Sequence, residues 1–249
     1  MHYTFQTNVG KVRSHNEDSV GVFKNEYGVL AIVADGMGGH LAGDVASSMS
    51  VSYFEKKWAN VDESFNAKDA EIWLKKQCED LNKYLYDHAQ VNKECQGMGT
   101  TIVVTMCTEE FITMAHVGDS RVYINNEFGF TQKTSDHSLV QELVNTGQIT
   151  EAEAEHHPRK NVLLRALGTE TTIKVDVQTL QVEADQVIVL CSDGLSNKVE
   201  QDELKAIITG DQPLEAKAEA CIVKANERGG EDNISIAIVQ YPTEPYKAR

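Results

Sequence analysis

Proline is scarce in this 249-residue chain, with only 4, and no Pro/Ser-rich stretch marks a linker between domains. Internal repeats and low-complexity tracts are missing as well, so a single domain over residues 1–249 is expected. No apolar run reaches the ~18 residues of a membrane helix, and no basic segment with an apolar stretch opens the chain. Positive charge is short: 23 Lys and Arg stand against 38 Asp and Glu, a formal net charge of -15. That balance argues against nucleic acid or an anionic membrane surface as partner. Cysteine is limited to Cys78, Cys95, Cys107, Cys191 and Cys221, an odd number, widely spaced and without a CxxC pair. The pattern suits reduced thiols better than a disulfide framework or a zinc site. The expectation is a soluble cytoplasmic protein with no membrane insertion.

With 41% hydrophobic residues the chain can bury a sizeable core. Short β-rich apolar runs recur at Val29–Ala34, Thr101–Met106, Ile112–Val117, Arg121–Ile124, Val175–Leu180, Val187–Cys191 and Ile234–Val239. Several are continuously apolar, as in strands covered on both faces. Ala42, Val45, Ala46, Met49 and Tyr53 line one face of a helix; Leu74, Cys78, Leu81 and Leu85 line a second. Leu214, Ala218, Cys221, Ile222 and Ala225 form a third, preceded by Pro213 and closed by Gly229 and Gly230. Two long helices in succession exclude strict βαβ alternation, so packed antiparallel sheets with helices outside are expected. Residues 138–162 read differently. A short helix at Ser138–Thr146 ends at Gly147, Thr150 and Glu153 form a capping box, and His156 to Lys160 stop the second turn. This polar helical insertion is a candidate flap over a site.

Aspartate recurs in one setting, at the margin of an apolar β-like run beside glycine or another small or polar residue. Asp35 ends VLAIVADGMGGH, Asp119 follows ITMAHVG, Asp193 follows VIVLCS, and Asp232 precedes ISIAIV; Glu17 and Asp18 lie in RSHNEDS. Any single Asp-Gly is a common turn. Four aspartates ending core-like strands are poorly explained as four independent turns. Brought together, such carboxylates repel unless protonated or bridged by cations. Only oxygen ligands are on offer, which fits hard ions, Mg²⁺ or Mn²⁺. Cations would also let so acidic a chain handle phosphate. DGMGGH lacks the Lys-Ser/Thr of a nucleotide-binding P-loop.

RSHNED (13–18), VADGMGGH (33–40), GMGTT (97–101), VGDSR (117–121), SDHS (135–138), RALGT (165–169), CSDGLSNKV (191–199) and GGEDNIS (229–235) resemble, in order, the motif series of the metal-dependent type 2C serine/threonine protein phosphatases. They look most like the compact bacterial members that oppose membrane-bound serine/threonine kinases, and the resemblance runs from Arg13 to Val239.

The resemblance implies an α+β fold, a four-layer α-β-β-α sandwich of two antiparallel sheets flanked by helix pairs. It implies hydrolysis of phosphoserine and phosphothreonine in proteins by direct attack of a hydroxide bridging two Mn²⁺ or Mg²⁺ ions. Asp35 would bridge them, with the Gly36 carbonyl on one and Asp193 and Asp232 on the other. Glu17 and Asp18 would act through bound waters, and Asp119 would hold a weaker third ion. Arg13 would clamp the phosphoryl group, for which a planar guanidinium is suited. Relatives outside bacteria place histidine directly after the Asp-Gly pair, where this chain has Met37. His40 is the nearest proton donor, and equally suits a cap for the following helix; His137 is a second candidate, or a structural hydrogen bond. Phosphorylated proteins and a cognate kinase are the implied partners, and a monomer the expected state.

Overall fold

The computed structural model describes residues 1–39 and 42–243. Two antiparallel sheets pack face to face. One has the order β1 (His2–Asn8), β11 (Ile234–Gln240), β10 (Val187–Cys191), β7 (Arg121–Asn126) and β8 (Gly129–Gln132). The other runs β2 (Asp18–Asn25), β3 (Gly28–Met37), β5 (Ile102–Cys107), β6 (Phe111–Val117) and β9 (Asp176–Gln181), with the short β4 (Gly99–Thr100) pairing the end of β3.

Side-chain alternation explains why the central strands read as unbroken apolar runs. Along β3, Val29, Ala31 and Val33 enter the core between the sheets, while Leu30 and Ile32 face the helices outside. Along β10, Ile188 and Leu190 point inward, and Val187, Val189 and Cys191 outward. Three apolar cores therefore separate four layers, the expected α-β-β-α sandwich.

Helices α1 (Ala42–Ala59) and α2 (Ala67–Val91) cover the second sheet. The face that α1 buries is Ala46, Ser50, Phe54 and Trp58, so Val45, Met49 and Tyr53 lie at its flank, partly buried. Leu74, Cys78, Leu81 and Leu85 of α2 are fully buried, as their spacing predicts. Helices α3 (Leu139–Asn145) and α4 (Glu151–Glu155) form the polar insertion, and the Thr150–Glu153 capping box is present. The single turn α5 (Asp193–Ser196) follows β10, and α6 (Gln201–Ile208) and α7 (Leu214–Glu227) cover the first sheet. All five cysteines are free and buried. Among the described residues no helix is long and apolar enough to cross a membrane.

Candidate metal centre

Sheet topology gathers the acidic residues. Because β2 and β3 run antiparallel, Asp18 at the start of one lies opposite Asp35 near the end of the other. Asp119 sits in the turn between β6 and β7, and Asp193 opens α5 where β10 ends. Asp232 lies two residues before β11, whose start pairs the end of β10. All five carboxylates thus meet at one margin of the sandwich.

Their electrostatics reflect that crowding. Burial, then the charges of Asp18 and Asp193, hold the Asp35 carboxyl well above the usual carboxylate range. Burial raises Asp18 to about 7 despite a 2.7 Å hydrogen bond from Ser192 Oγ to its Oδ2. Burial and the neighbouring Asp193 raise Asp119 to about 7. Burial and Asp232 raise Asp193, which receives a hydrogen bond of 3.0 Å from Asn197 Nδ2. Carboxylates crowded in this way repel one another unless protons or cations neutralise them.

The donor set fits hard divalent ions. It is made of carboxylate and carbonyl oxygens, and Glu17 Oε1 is buried without a hydrogen-bond partner among the described residues. The nearest basic group to that oxygen among the described residues, His15 Nε2, is 3.7 Å away, beyond hydrogen-bond reach, and a buried acceptor without a hydrogen bond is costly unless something else occupies it. Gly36, next to Asp35, packs so closely that a Cβ there would meet the Glu17 and Gly43 carbonyls, so only glycine fits at this position.

Backbone hydrogen bonds hold Asp35 in place. Its N–H donates to Thr101 Oγ1 at 3.1 Å, and its carbonyl accepts from Thr101 N at 2.8 Å and Thr100 Oγ1 at 2.9 Å. The GMGTT segment therefore pins the central aspartate. Asn233 organises the other side: its Nδ2 donates to Val9 O and His15 O, and its Oδ1 accepts from Glu17 N at 2.8 Å. Sequence reasoning assigned Asn233 and Ser192 no part; a polar residue fully buried beside a ligand is legible only once partners some 174 or more residues away are placed.

Arg13 Nη2 lies 2.8 Å from Asp232 Oδ2, at the exposed rim of the cluster. Arg121, beside Asp119, grips Asp136 through Nε and Nη2 at 2.7–3.1 Å. An open groove of about 790 Å³ leads from Asp119 and Asp193 past Arg121 and Asn197 to Val140 and Lys160 of the insertion. His40 lies outside the described residues. His137 is buried and turned away from the groove, its ring bonded to Gly118 N and Asp176, so the structural alternative describes it.

Comparison with known proteins follows the same lines. Residues 8–221 match the family model described as Protein phosphatase 2C. A serine/threonine phosphatase of Listeria welshimeri is 43% identical over 241 residues, covering 96% of each chain. The crystal structure of a Staphylococcus aureus serine/threonine phosphatase superposes with a TM-score of 0.90 at 35% identity, over 96% of this chain and 94% of that one. The catalytic domain of the phosphatase PstP, solved in complex with 2 manganese ions, gives a TM-score of 0.82 at 30% identity, over 95% and 96%.

Proposed function

The chain belongs to the protein phosphatase 2C family of metal-dependent serine/threonine phosphatases, and we propose that its reaction is carried by the carboxylate cluster around Asp35. The observation that carries this reading is the mutual crowding of Asp18, Asp35, Asp119 and Asp193, each held above the ordinary carboxylate range at one sheet margin.

In this reading Asp35, the Gly36 carbonyl, Asp193 and Asp232 would together hold the divalent ions, Mn²⁺ or Mg²⁺. Glu17 and Asp18 act from the outer shell, and Asp119 holds a third, weaker ion. Bound there, such ions supply Lewis acidity and a water of lowered pKa. The protein's own residues do the rest. Ser192 and Asn197 orient the Asp18 and Asp193 carboxylates by direct hydrogen bonds. Arg13, its side chain 48% exposed at the cluster's rim, holds phosphoryl oxygens of the substrate. The serine or threonine oxygen leaves with a proton, for which His40 is our candidate donor, since ordinary imidazole titrates at about 6.5.

Residues 138–162 act as a flap within one catalytic domain: Leu139 N donates to Val162 O, closing the insertion at its base beside the groove. Phosphorylated proteins are the substrates. A cognate serine/threonine kinase as opponent and a cytoplasmic monomer complete the reading, which the five free thiols suit.

Purified protein with Mn²⁺ is expected to hydrolyse p-nitrophenyl phosphate and a phosphothreonine peptide, to stop on chelation, and to lose nearly all activity in Asp193→Ala. Full activity in Asp193→Ala would remove the cluster from the mechanism.

A further inference from the structure

Behind Asp119 lies a polar assembly that the catalytic reading leaves unused. His137 follows Asp136, the partner of Arg121, and precedes Ser138, which caps α3. It engages Gly118, the residue before Asp119, at two points. The His137 backbone N–H donates to Gly118 O at 2.9 Å, and Gly118 N–H donates to His137 Nδ1 at 3.1 Å. Both polar groups of Gly118 are thus bound by one residue. Only glycine fits this turn, because Gly118 has φ +106° and a Cβ there would stand 2.6 Å from Thr101 Cβ; with no side chain of its own, its position is set by its backbone bonds.

The tautomer follows from the network. Two groups face Nε2, Asp176 Oδ2 at 3.2 Å and the Arg165 guanidinium (Nη1) at 3.0 Å; because Nδ1 accepts the Gly118 backbone N–H, the proton of the neutral ring is assigned to Nε2, where Asp176 receives it. Arg165 Nη1 donates to the other oxygen of Asp176 at 3.2 Å, and the His116 ring stacks on His137 with centroids 4.5 Å apart. His116, His137 and Asp176 bring potential ligand atoms within 4.8 Å of one another, which raises the question of an ion. An ion on His137 Nε2 would drive the ring proton onto Nδ1, against the Gly118 N–H, so the trio does not read as a metal site. On the other side, the His137 carbonyl accepts from Leu164 N at 2.8 Å, just beyond the flap.

We propose that His137 is a positioning residue that fixes the Gly118–Asp119 turn through its Nδ1 lone pair and ties that turn to the base of the flap. The inference rests on the reading that Asp119 holds a divalent ion. A carboxylate on a three-residue turn reaches an ion only as accurately as its peptide is held, and among the described residues no other side chain bonds the Gly118 N–H.

Two substitutions separate the two ring nitrogens. In His137→Asn the amide oxygen stands where Nδ1 stood and can accept from Gly118. In His137→Gln the amide reaches the Nε2 position and leaves Gly118 N–H unpaired. Calorimetric Mn²⁺ titration of the whole chain, alongside Asp119→Ala, is expected to show the weakest ion binding about 10-fold or more weaker in His137→Gln and Asp119→Ala, and near wild type in His137→Asn. The Gly118 amide, followed by NMR hydrogen exchange, should exchange faster in the glutamine variant alone. Wild-type titration and Gly118 protection in His137→Gln, with Asp119→Ala weakened, overturns the proposal. Equal weakening in both His137 variants overturns it too, and if the glutamine variant does not fold, weak binding in His137→Asn suffices. Wild-type titration of Asp119→Ala instead removes the Asp119 reading, while Gly118 exchange still judges the clamp.

Discussion

Arg13 reaches across 219 residues of sequence to place Nη2 2.8 Å from Oδ2 of Asp232. The same carboxylate is proposed as a metal ligand, so an ion on Asp232 competes with the guanidinium for its oxygen. In that reading Arg13, freed from Asp232, would be available to substrate phosphate. With side chains 48% and 40% exposed, the pair adds little to stability, about 0–1 kcal/mol. Arg13→Ala and Arg13→Lys are therefore expected to keep the melting temperature and lose about 10- to 100-fold in kcat/KM, because lysine cannot reproduce a planar two-point grip. Steady-state kinetics beside thermal melts check this; unaltered kinetics in both variants would return Arg13 to the surface.

The crowding at Asp35 sets function against stability. Asp35→Asn removes a carboxyl that burial and four neighbouring charges disfavour. The metal-free variant should be more stable than the parent by ~1 kcal/mol, while activity falls at least about 100-fold. Urea unfolding in chelator, paired with a turnover assay, tests both halves at once.

The pH dependence has a definite sign. Asp18 and Asp119 titrate near 7 in the fold against an ordinary 3.8, so between those values the folded chain holds more protons than the unfolded one. Their contribution to metal-free stability therefore declines as pH rises through that window. His137, held at about 4 by burial and the stacked His116, works in the opposite sense up to its usual 6.5. The histidine term is common to metal-free and metal-loaded protein, so their difference isolates the carboxylates. Divalent ions bind the ionised forms, and the gain in melting temperature on adding Mn²⁺ should grow from about pH 5 to about pH 8. A gain independent of pH would contradict the cluster as the binding site.

The insertion should matter for proteins more than for small substrates. Val140 and Lys160 line the same groove as Asp119 and Asp193 but belong to the insertion, so they offer surface to a phosphopeptide beyond its phosphate. Replacing part of residues 138–162 is expected to change preference among phosphoproteins while leaving p-nitrophenyl phosphate turnover within about 3-fold. Equal effects on both substrates would count against a flap.

Much of this was readable from residues alone because the inner strands are buried on both faces. Val29–Ala34 and Val187–Cys191 are apolar at every position since one parity fills the inter-sheet core and the other the helix-facing cores. Strands β1, β2 and β8 left no such run. Each lies at a sheet edge, and HYTFQTN in particular alternates exposed and buried residues with polar side chains. Helix α6 was missed for a different reason: its capping box uses Glu200 in place of the usual serine, threonine or asparagine. The ligands stood out as a set because each aspartate lies within two residues of a strand end. Their supports did not, since Ser192 with Asp18, Asn233 with Glu17 and His137 with Gly118 are pairings that only the folded chain creates.

The most direct test is the anomalous scattering of a crystal soaked in Mn²⁺. Peaks are expected on either side of Asp35, within about 2.1 Å of its carboxylate oxygens, with Asp193 and Asp232 sharing one of them. Peaks confined to another site, such as the trio of His116, His137 and Asp176, with none at Asp35, would contradict the assignment of the centre.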